Sequence, residues 1–246
     1  MSRNFDLLAE IERERKSGAE NDRGRVAAVR PVVKENFATS EETPEGLEMF
    51  GLVSSIFLSD QEDTPRQVVF VGVEGESGSS SVCANAGRIL AGSIAKPVCL
   101  VDANVRSGRL SRILGIKETT SISGKFVSVG EQCVQIGSNL WLAGTDLMTD
   151  DRGALLPVEE LKRRLTQLGA AFEYLLIDGP GVRVSKDAEI LAHSADAAIL
   201  VVEADKTRRT RAAKAKESLE AAGVRLLGTV LNNRSFPIPE KLYKLL

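Results

Sequence analysis

Two aspartates and a serine have the types and spacing expected of a site for a phosphate-bearing ligand and a metal ion. Asp102 and Asp178 each follow a short apolar run, and Ser80 lies in a Gly/Ser-rich stretch after a third run. A hydroxyl and two carboxylates, acting directly or through water, are typical magnesium ligands at phosphate loops. These three residues predict a magnesium site in which Asp102 and Asp178 are the catalytic carboxylates.

The stretch Gln67–Gly87, QVVFVGVEGESGSSSVCANAG, joins an apolar run to a helix through glycines and serines. The N–H groups of such a loop can cradle phosphate. The pattern G-x-x-x-x-G-K-[ST] is matched at Gly78 and Ser80, but Ser79 replaces the lysine and Val73 the first glycine. A strand-to-helix connection without a ligand is the alternative interpretation of this loop. The predicted phosphate-binding residues are Gly75, Ser77, Gly78, Ser79, Ser80 and Ser81.

Alternating strands and helices must bring these side chains together. Strands are predicted at Val68–Val73, Val98–Val101, Leu140–Ala143, Tyr174–Ile177, Ala197–Val202 and Leu226–Leu231, and helices at Glu45–Leu58, Val82–Ala95, Arg106–Leu114, Val158–Ala171, Asp187–Ser194, Arg208–Ala222 and Pro239–Leu246. Continuous apolar runs are typical of parallel strands covered on both faces. The order therefore predicts an α/β, doubly wound, mostly parallel sheet in a three-layer, P-loop NTPase-like arrangement, with the site at the carboxyl ends of its strands.

Composition limits the class of protein. The chain has 246 residues, of which 43% are hydrophobic and only 4% aromatic, so its core must be aliphatic. A formal net charge of −2 argues against general nucleic-acid binding. Three cysteines without metal-ligand spacing favour reduced thiols in the cytosol. No stretch approaches the ~20 apolar residues of a membrane span, which predicts a cytoplasmic protein that reaches a membrane only through a partner.

The chain divides into two parts by its patterning. Residues 1–44 are predicted to contain a short amphipathic helix at Phe5–Lys16, interpreted as a docking helix or a frayed tail, followed by a polar, flexible linker. Residues 45–246 form the predicted P-loop kinase- or ATPase-like domain.

Three motifs together resemble the cytoplasmic tyrosine kinase domains of bacterial capsule and exopolysaccharide systems, relatives of the division-site and partition ATPases. Asp102–Arg106 matches the family's D-x-D-x-R motif, Asp178–Gly181 its D-x-P-P motif, and Gly228–Asn232 its G-x-V-L-N segment. The resemblance implies ATP and magnesium as cofactors, with Asn232 facing the nucleotide base. It also implies homo-oligomers and a partner, the cytoplasmic tail of a membrane polysaccharide chain-length determinant.

The chain departs from that family where phosphoryl transfer occurs. Ser79 replaces the phosphate-binding lysine, Asn104 replaces the second aspartate of D-x-D-x-R, and Glu76 replaces a loop glycine. The family's tail carries a cluster of phosphorylated tyrosines, whereas this tail has only Tyr243 as a candidate phosphoacceptor. An amide such as that of Asn104 cannot accept a proton at neutral pH, so weak or lost phosphotransfer is expected.

Two alternatives remain open at this point. The first is an active ATP-dependent tyrosine autokinase, in which another cation such as Arg106 replaces the lysine. An exposed, solvent-facing Arg106 is the favoured interpretation. The second alternative is a partition-like ATPase whose basic segment, Lys206–Lys216, binds DNA or a membrane. A solvated face of an amphipathic helix accounts for that segment better, which makes DNA an unfavoured partner.

Overall fold

A seven-stranded sheet forms the centre of the computed structural model, which describes residues 43–59, 63–116 and 129–234. The strands are β1 (Gln67–Gly72), β2 (Val98–Asp102), β3 (Val134–Gln135), β4 (Leu140–Ala143), β5 (Tyr174–Asp178), β6 (Ala197–Glu203) and β7 (Leu226–Asn232). Their order across the sheet is β3-β4-β2-β5-β1-β6-β7. All neighbours pair in parallel except β3, which runs antiparallel to β4 at one edge.

Helices cover both faces of this sheet in the described residues. They are α1 (Pro44–Phe57), α2 (Ser79–Ser93), α3 (Arg109–Ile113), α4 (Val158–Ala171), α5 (Asp187–Ser194) and α6 (Arg209–Ala221), with 3₁₀ turns at Val129–Gln132 and Thr145–Met148. Helix α1 begins where Thr43 accepts a hydrogen bond from the Gly46 N–H at 3.1 Å. Such a cap, followed by Pro44 in the first turn, is a typical helix start.

Two apolar layers hold the helices on the sheet. One layer packs Val69 and its neighbours against α4, α5 and α6, for example through Leu161 and Leu219. The opposite layer packs Val68 and its neighbours against α1, α2 and α3, for example through Leu90. Successive residues of a strand point to opposite faces, so a sheet buried on both sides needs continuous apolar strands. The predicted doubly wound α/β fold is confirmed.

The structure corrects several predicted boundaries. The edge strand β3 was not predicted, because two residues give no periodic signal. Helix α2 begins at Ser79 rather than Val82, directly after Gly78, which adopts a left-handed backbone with φ of 80°. Helix α3 begins at Arg109 rather than Arg106, because the Asn104 carbonyl accepts from the N–H groups of residues 107 and 108 and forms a turn there.

Several predicted features lie outside the described residues. They are the segment 1–42, with the helix at Phe5–Lys16, and the tail helix Pro239–Leu246 with Tyr243. The division of the chain at residue 44 stays a prediction. Within residues 43–59, 63–116 and 129–234, every helix is too short or too polar to cross a bilayer.

Candidate nucleotide-binding site

The loop between β1 and α2 is closed by its own hydrogen bonds. The buried Ser77 Oγ accepts from the Glu74 N–H at 3.0 Å and donates to the Glu74 carbonyl at 2.9 Å. Gly78 then turns the chain into α2, so that Ser79, Ser80 and Ser81 form the first turn. The first N–H groups of a helix have no intrahelical partner and carry partial positive charge. The loop therefore presents backbone donors to an anion.

Two buried carboxylates lie next to each other beneath this loop. Asp102 ends β2 and Asp178 ends β5, and the two residues are partners in the parallel register of these strands. Both are fully buried. Asp102 Oδ2 accepts from the N–H of Ser111 at 3.3 Å and from its hydroxyl at 3.4 Å. Among the described residues, Asp102 Oδ1 and both carboxylate oxygens of Asp178 have no hydrogen-bond partner of good geometry.

Burial changes the acidity of both groups. It raises the pKa of Asp178 to about 8; the nearby Ser80 hydroxyl lowers this pKa in part, and the Asp102 carboxylate raises it further. Burial also raises the pKa of Asp102 to about 6, against the opposing hydrogen bonds from Ser111. Two adjacent buried carboxylates with so few hydrogen bonds favour a shared proton or a bound cation.

The donor set fits magnesium. Magnesium prefers oxygen ligands and commonly uses one or two carboxylates together with waters and ligand phosphates. Asp102 and Asp178 supply the carboxylates, and Ser80 lies beside Asp178. Within the described part of the chain, no three His, Cys, Asp or Glu residues form a metal-binding group. A bound ion here would complete its coordination with Ser80, water and ligand oxygens. The roles of these residues as ligands stay a prediction.

Asn232, at the end of β7, lies against the loop. Its Nδ2 donates to the Ser77 carbonyl at 3.1 Å, and a Cβ added to Gly78 would lie 2.1 Å from that nitrogen. In this structure the Asn232 side chain, which is predicted to face the nucleotide base, therefore hydrogen-bonds to the C-terminal part of the loop.

We expect Gly78→Ala to lower the free energy of unfolding by about 2 kcal/mol or more. The new methyl group would strain a left-handed backbone and collide with Asn232. Urea unfolding measures the loss. Gly92→Ala is the matched control, because Gly92 lies in α2 with open space around it, and there alanine should stabilise by about 0.5–1 kcal/mol. Equal stability of Gly78→Ala and the unmodified protein would contradict this view of the loop.

Arginines face both glutamates of the loop. Arg211 Nη1 lies 2.6 Å from Glu74 Oε1. Arg109 Nη1 donates to the Gly75 carbonyl at 3.2 Å, and its Nη2 lies 3.7 Å from Glu76 Oε1. Sequence reasoning missed Arg109, which belongs to no motif. Arg106, the cation suggested from the sequence as a replacement for the lysine, is exposed as expected and pairs with Asp187 at 4.0 Å.

A cleft of about 320 Å³ opens at the start of α2. Its lining residues are Gly78, Ser80, Ser81, Arg109, Arg112 and Ile113. A helix N-terminus and two arginines that line the same cleft favour an anion in this space.

The segment after β5 packs directly on the phosphate loop. The N–H of Val182 donates to the Gly72 carbonyl at 2.9 Å, and that of Arg183 donates to the Val73 carbonyl at 3.2 Å. A Cβ on Gly181 would lie 2.8 Å from the backbone carbon of Glu74. The third motif and the loop therefore form one closely packed unit.

Comparison with solved structures identifies the class of fold. The chimerical protein CapA2B2 superposes with a TM-score of 0.66 at 21% identity, covering 80% of this chain and 88% of that one. The BceF tyrosine kinase domain gives 0.63 at 24% identity, covering 94% of this chain and 88% of that one. MinC:MinD from Aquifex aeolicus gives 0.57 at 23% identity, with 73% and 72% covered. At these identities the likeness establishes the fold, which is P-loop NTPase-like.

Sequence relatives then narrow the resemblance. Tyrosine-protein kinase YwqD of Bacillus subtilis is 29% identical over 164 residues, 64% of this chain and 68% of the relative. Tyrosine-protein kinase CpsD of Streptococcus agalactiae serotype Ia is 29% identical over 141 residues, 55% of this chain and 61% of the relative. No family model matches the chain. The resemblance to the bacterial capsule and exopolysaccharide tyrosine kinases is confirmed, over about two thirds of these relatives' length.

Proposed function

We propose that this chain is a tyrosine-kinase-like subunit of exopolysaccharide or capsule biosynthesis that binds magnesium-nucleotide but transfers phosphate weakly or not at all. The observation that carries this proposal is a mixed site. The buried pair Asp102 and Asp178 adjoins a loop that can bind phosphate, while Ser79 and Asn104 occupy the positions of the lysine and the second aspartate.

Each part of that site has a separate consequence. The loop N–H groups and a magnesium ion on Asp102, Asp178 and Ser80 can bind phosphate oxygens without the lysine. Magnesium, when bound, would neutralise charge on the transferring phosphoryl group. The lysine's share of that stabilisation is missing, and Asn104 cannot act as a general base. Binding is therefore weakened less than transfer.

The proposed role is regulatory. Relatives named as tyrosine-protein kinases, one of them encoded in a cps region, support a place in polysaccharide biosynthesis. We expect this chain to dock on the cytoplasmic tail of a membrane chain-length determinant and to signal its nucleotide state there, with or without forming homo-oligomers. DNA is left outside the proposal, because the chain has a formal net charge of −2 and a solvated helix face accounts for the basic segment.

A titration of the purified chain with ATP and magnesium tests this proposal. We expect measurable magnesium-dependent binding, and phosphotyrosine at or near the level of the Tyr243→Phe variant. Robust phosphorylation that disappears in Tyr243→Phe would contradict the proposed loss of transfer and identify an active autokinase. The absence of any magnesium-dependent nucleotide binding would contradict the proposed site.

A further inference from the structure

Arg109 is placed to act on any anion bound at the start of α2. It is the first residue of α3, and its side chain lines the cleft together with Gly78, Ser80 and Ser81. Its guanidinium bonds to the Gly75 carbonyl at 3.2 Å and so lies directly on the phosphate loop. One cation thus faces both the cleft and the loop.

We propose that Arg109 is the phosphate-binding cation of this chain and supplies, from α3, the positive charge that Ser79 does not. The inference deepens the proposed function and rests on it. A guanidinium can bind two phosphate oxygens at once, whereas a lysine ammonium acts as a point charge. The phosphates would therefore be held between the N–H groups of α2 and the side chain of Arg109.

Glu76 controls access to Arg109. Its carboxylate lies 3.7 Å from the guanidinium and would repel a bound phosphate. Because Glu76 is 87% exposed, solvent screens this pair, and such pairs contribute little to stability. A phosphate can therefore displace Glu76 from Arg109 at small cost. The chain carries its own competitor for the cation, which lowers affinity until a ligand arrives.

The other arginines near the site are less suited to this role. Arg211 and Arg106 do not line the cleft, as Arg109 does; Arg211 lies 2.6 Å from Glu74, and Arg106 pairs with Asp187. Arg112 lines the same cleft, but its guanidinium bonds to the Ser107 carbonyl rather than to the phosphate loop.

Helix α3 is itself fixed to the carboxylate pair. The N–H and hydroxyl of Ser111 both donate to Asp102 Oδ2. Arg109 therefore has a defined position relative to the predicted magnesium ligands.

The test measures binding of magnesium-ADP and of magnesium-pyrophosphate by calorimetry to the full chain. We expect Arg109→Gln to weaken both about 10-fold or more, and Arg109→Lys to restore part of the loss. Glu76→Gln should tighten both roughly 3-fold, and only while Arg109 is present. Arg225→Gln is the matched control. Arg225 likewise pairs with an acid and donates to a backbone carbonyl, both on Asp63, but it lies at the amino end of β7, away from the loop.

The outcomes separate this inference from the proposed function. Binding that Arg109→Gln leaves unchanged would overturn the role of Arg109 and leave the nucleotide site standing. Equal weakening by Arg109→Gln and Arg225→Gln would show a general charge effect and would also overturn it. If neither the unmodified chain nor Glu76→Gln binds either probe, both the inference and the proposed function fail. Circular dichroism of each variant excludes loss of fold as the cause.

Discussion

The double variant Ser79→Lys with Asn104→Asp should bind magnesium-ATP roughly 10- to 100-fold more tightly than the unmodified chain. It should also raise any phosphate turnover above the background. The lysine would restore charge-assisted hydrogen bonds to the phosphates, and the aspartate introduced at position 104 would restore a carboxylate able to accept a proton. Calorimetric titration and phosphate release measure the two effects.

The controls separate charge from size. Ser79→Met places a side chain of similar length without charge and should bind no better than the unmodified chain. Each single variant should raise turnover by less than it would if the two changes contributed independently to the double variant. The reason is that the effects of residues that act at one step are not additive. If Ser79→Met and Ser79→Lys bind nucleotide equally well, the missing charge is not what weakens this site.

The stability of the unliganded protein should fall as pH rises. An unfolded aspartate has a pKa of about 3.9, whereas burial raises that of Asp178 to about 8 in the folded chain. Between these values the folded state keeps a proton that the unfolded state releases, so the stabilising contribution is present at low pH and lost as pH rises through the folded pKa. We expect the free energy of unfolding to fall by about 2–3 kcal/mol from pH 5.5 to pH 8.0.

Urea unfolding at several pH values measures that slope. Asp178→Asn should remove most of the pH dependence of the free energy of unfolding and should raise stability at pH 8.0, because the amide stays neutral. Asp151→Asn is the matched control, since Asp151 is exposed, and it should keep the slope. Magnesium should reduce the loss at pH 8.0 if it binds the ionised pair. A flat pH profile for the unmodified protein would contradict the buried, protonated state of Asp178.

The sequence allowed the fold and the carboxylate pair to be predicted from the same signal. Continuous apolar runs before Asp102 and Asp178 required parallel strands buried on both faces, and parallel strands place their carboxyl ends at one edge. The structure adds that the two strands are neighbours and that these two residues are direct partners in their register. Their roles as ligands stay a prediction, because apolar patterning specifies position and carries no information on bound ions.

Other features had no such signal. Arg109 reaches the loop because a turn at Asn104 precedes α3, and the helix therefore begins at Arg109 rather than at Arg106. Asn232 bonds to the Ser77 carbonyl across 155 positions of the chain, and only the final packing of β7 decides that contact. Local periodicity describes elements and their faces, whereas these contacts depend on how loops of different elements meet.

The packing of Gly181 on Glu74 restricts the order in which this sequence can change. A proline at position 181, as in the family's third motif, would push its ring into the backbone of Glu74 and Gly75. The phosphate loop must first move outward before that proline can be accommodated. The family's proline at position 181 is therefore tolerated only in a chain whose loop has already changed, so the two substitutions are coupled in their order.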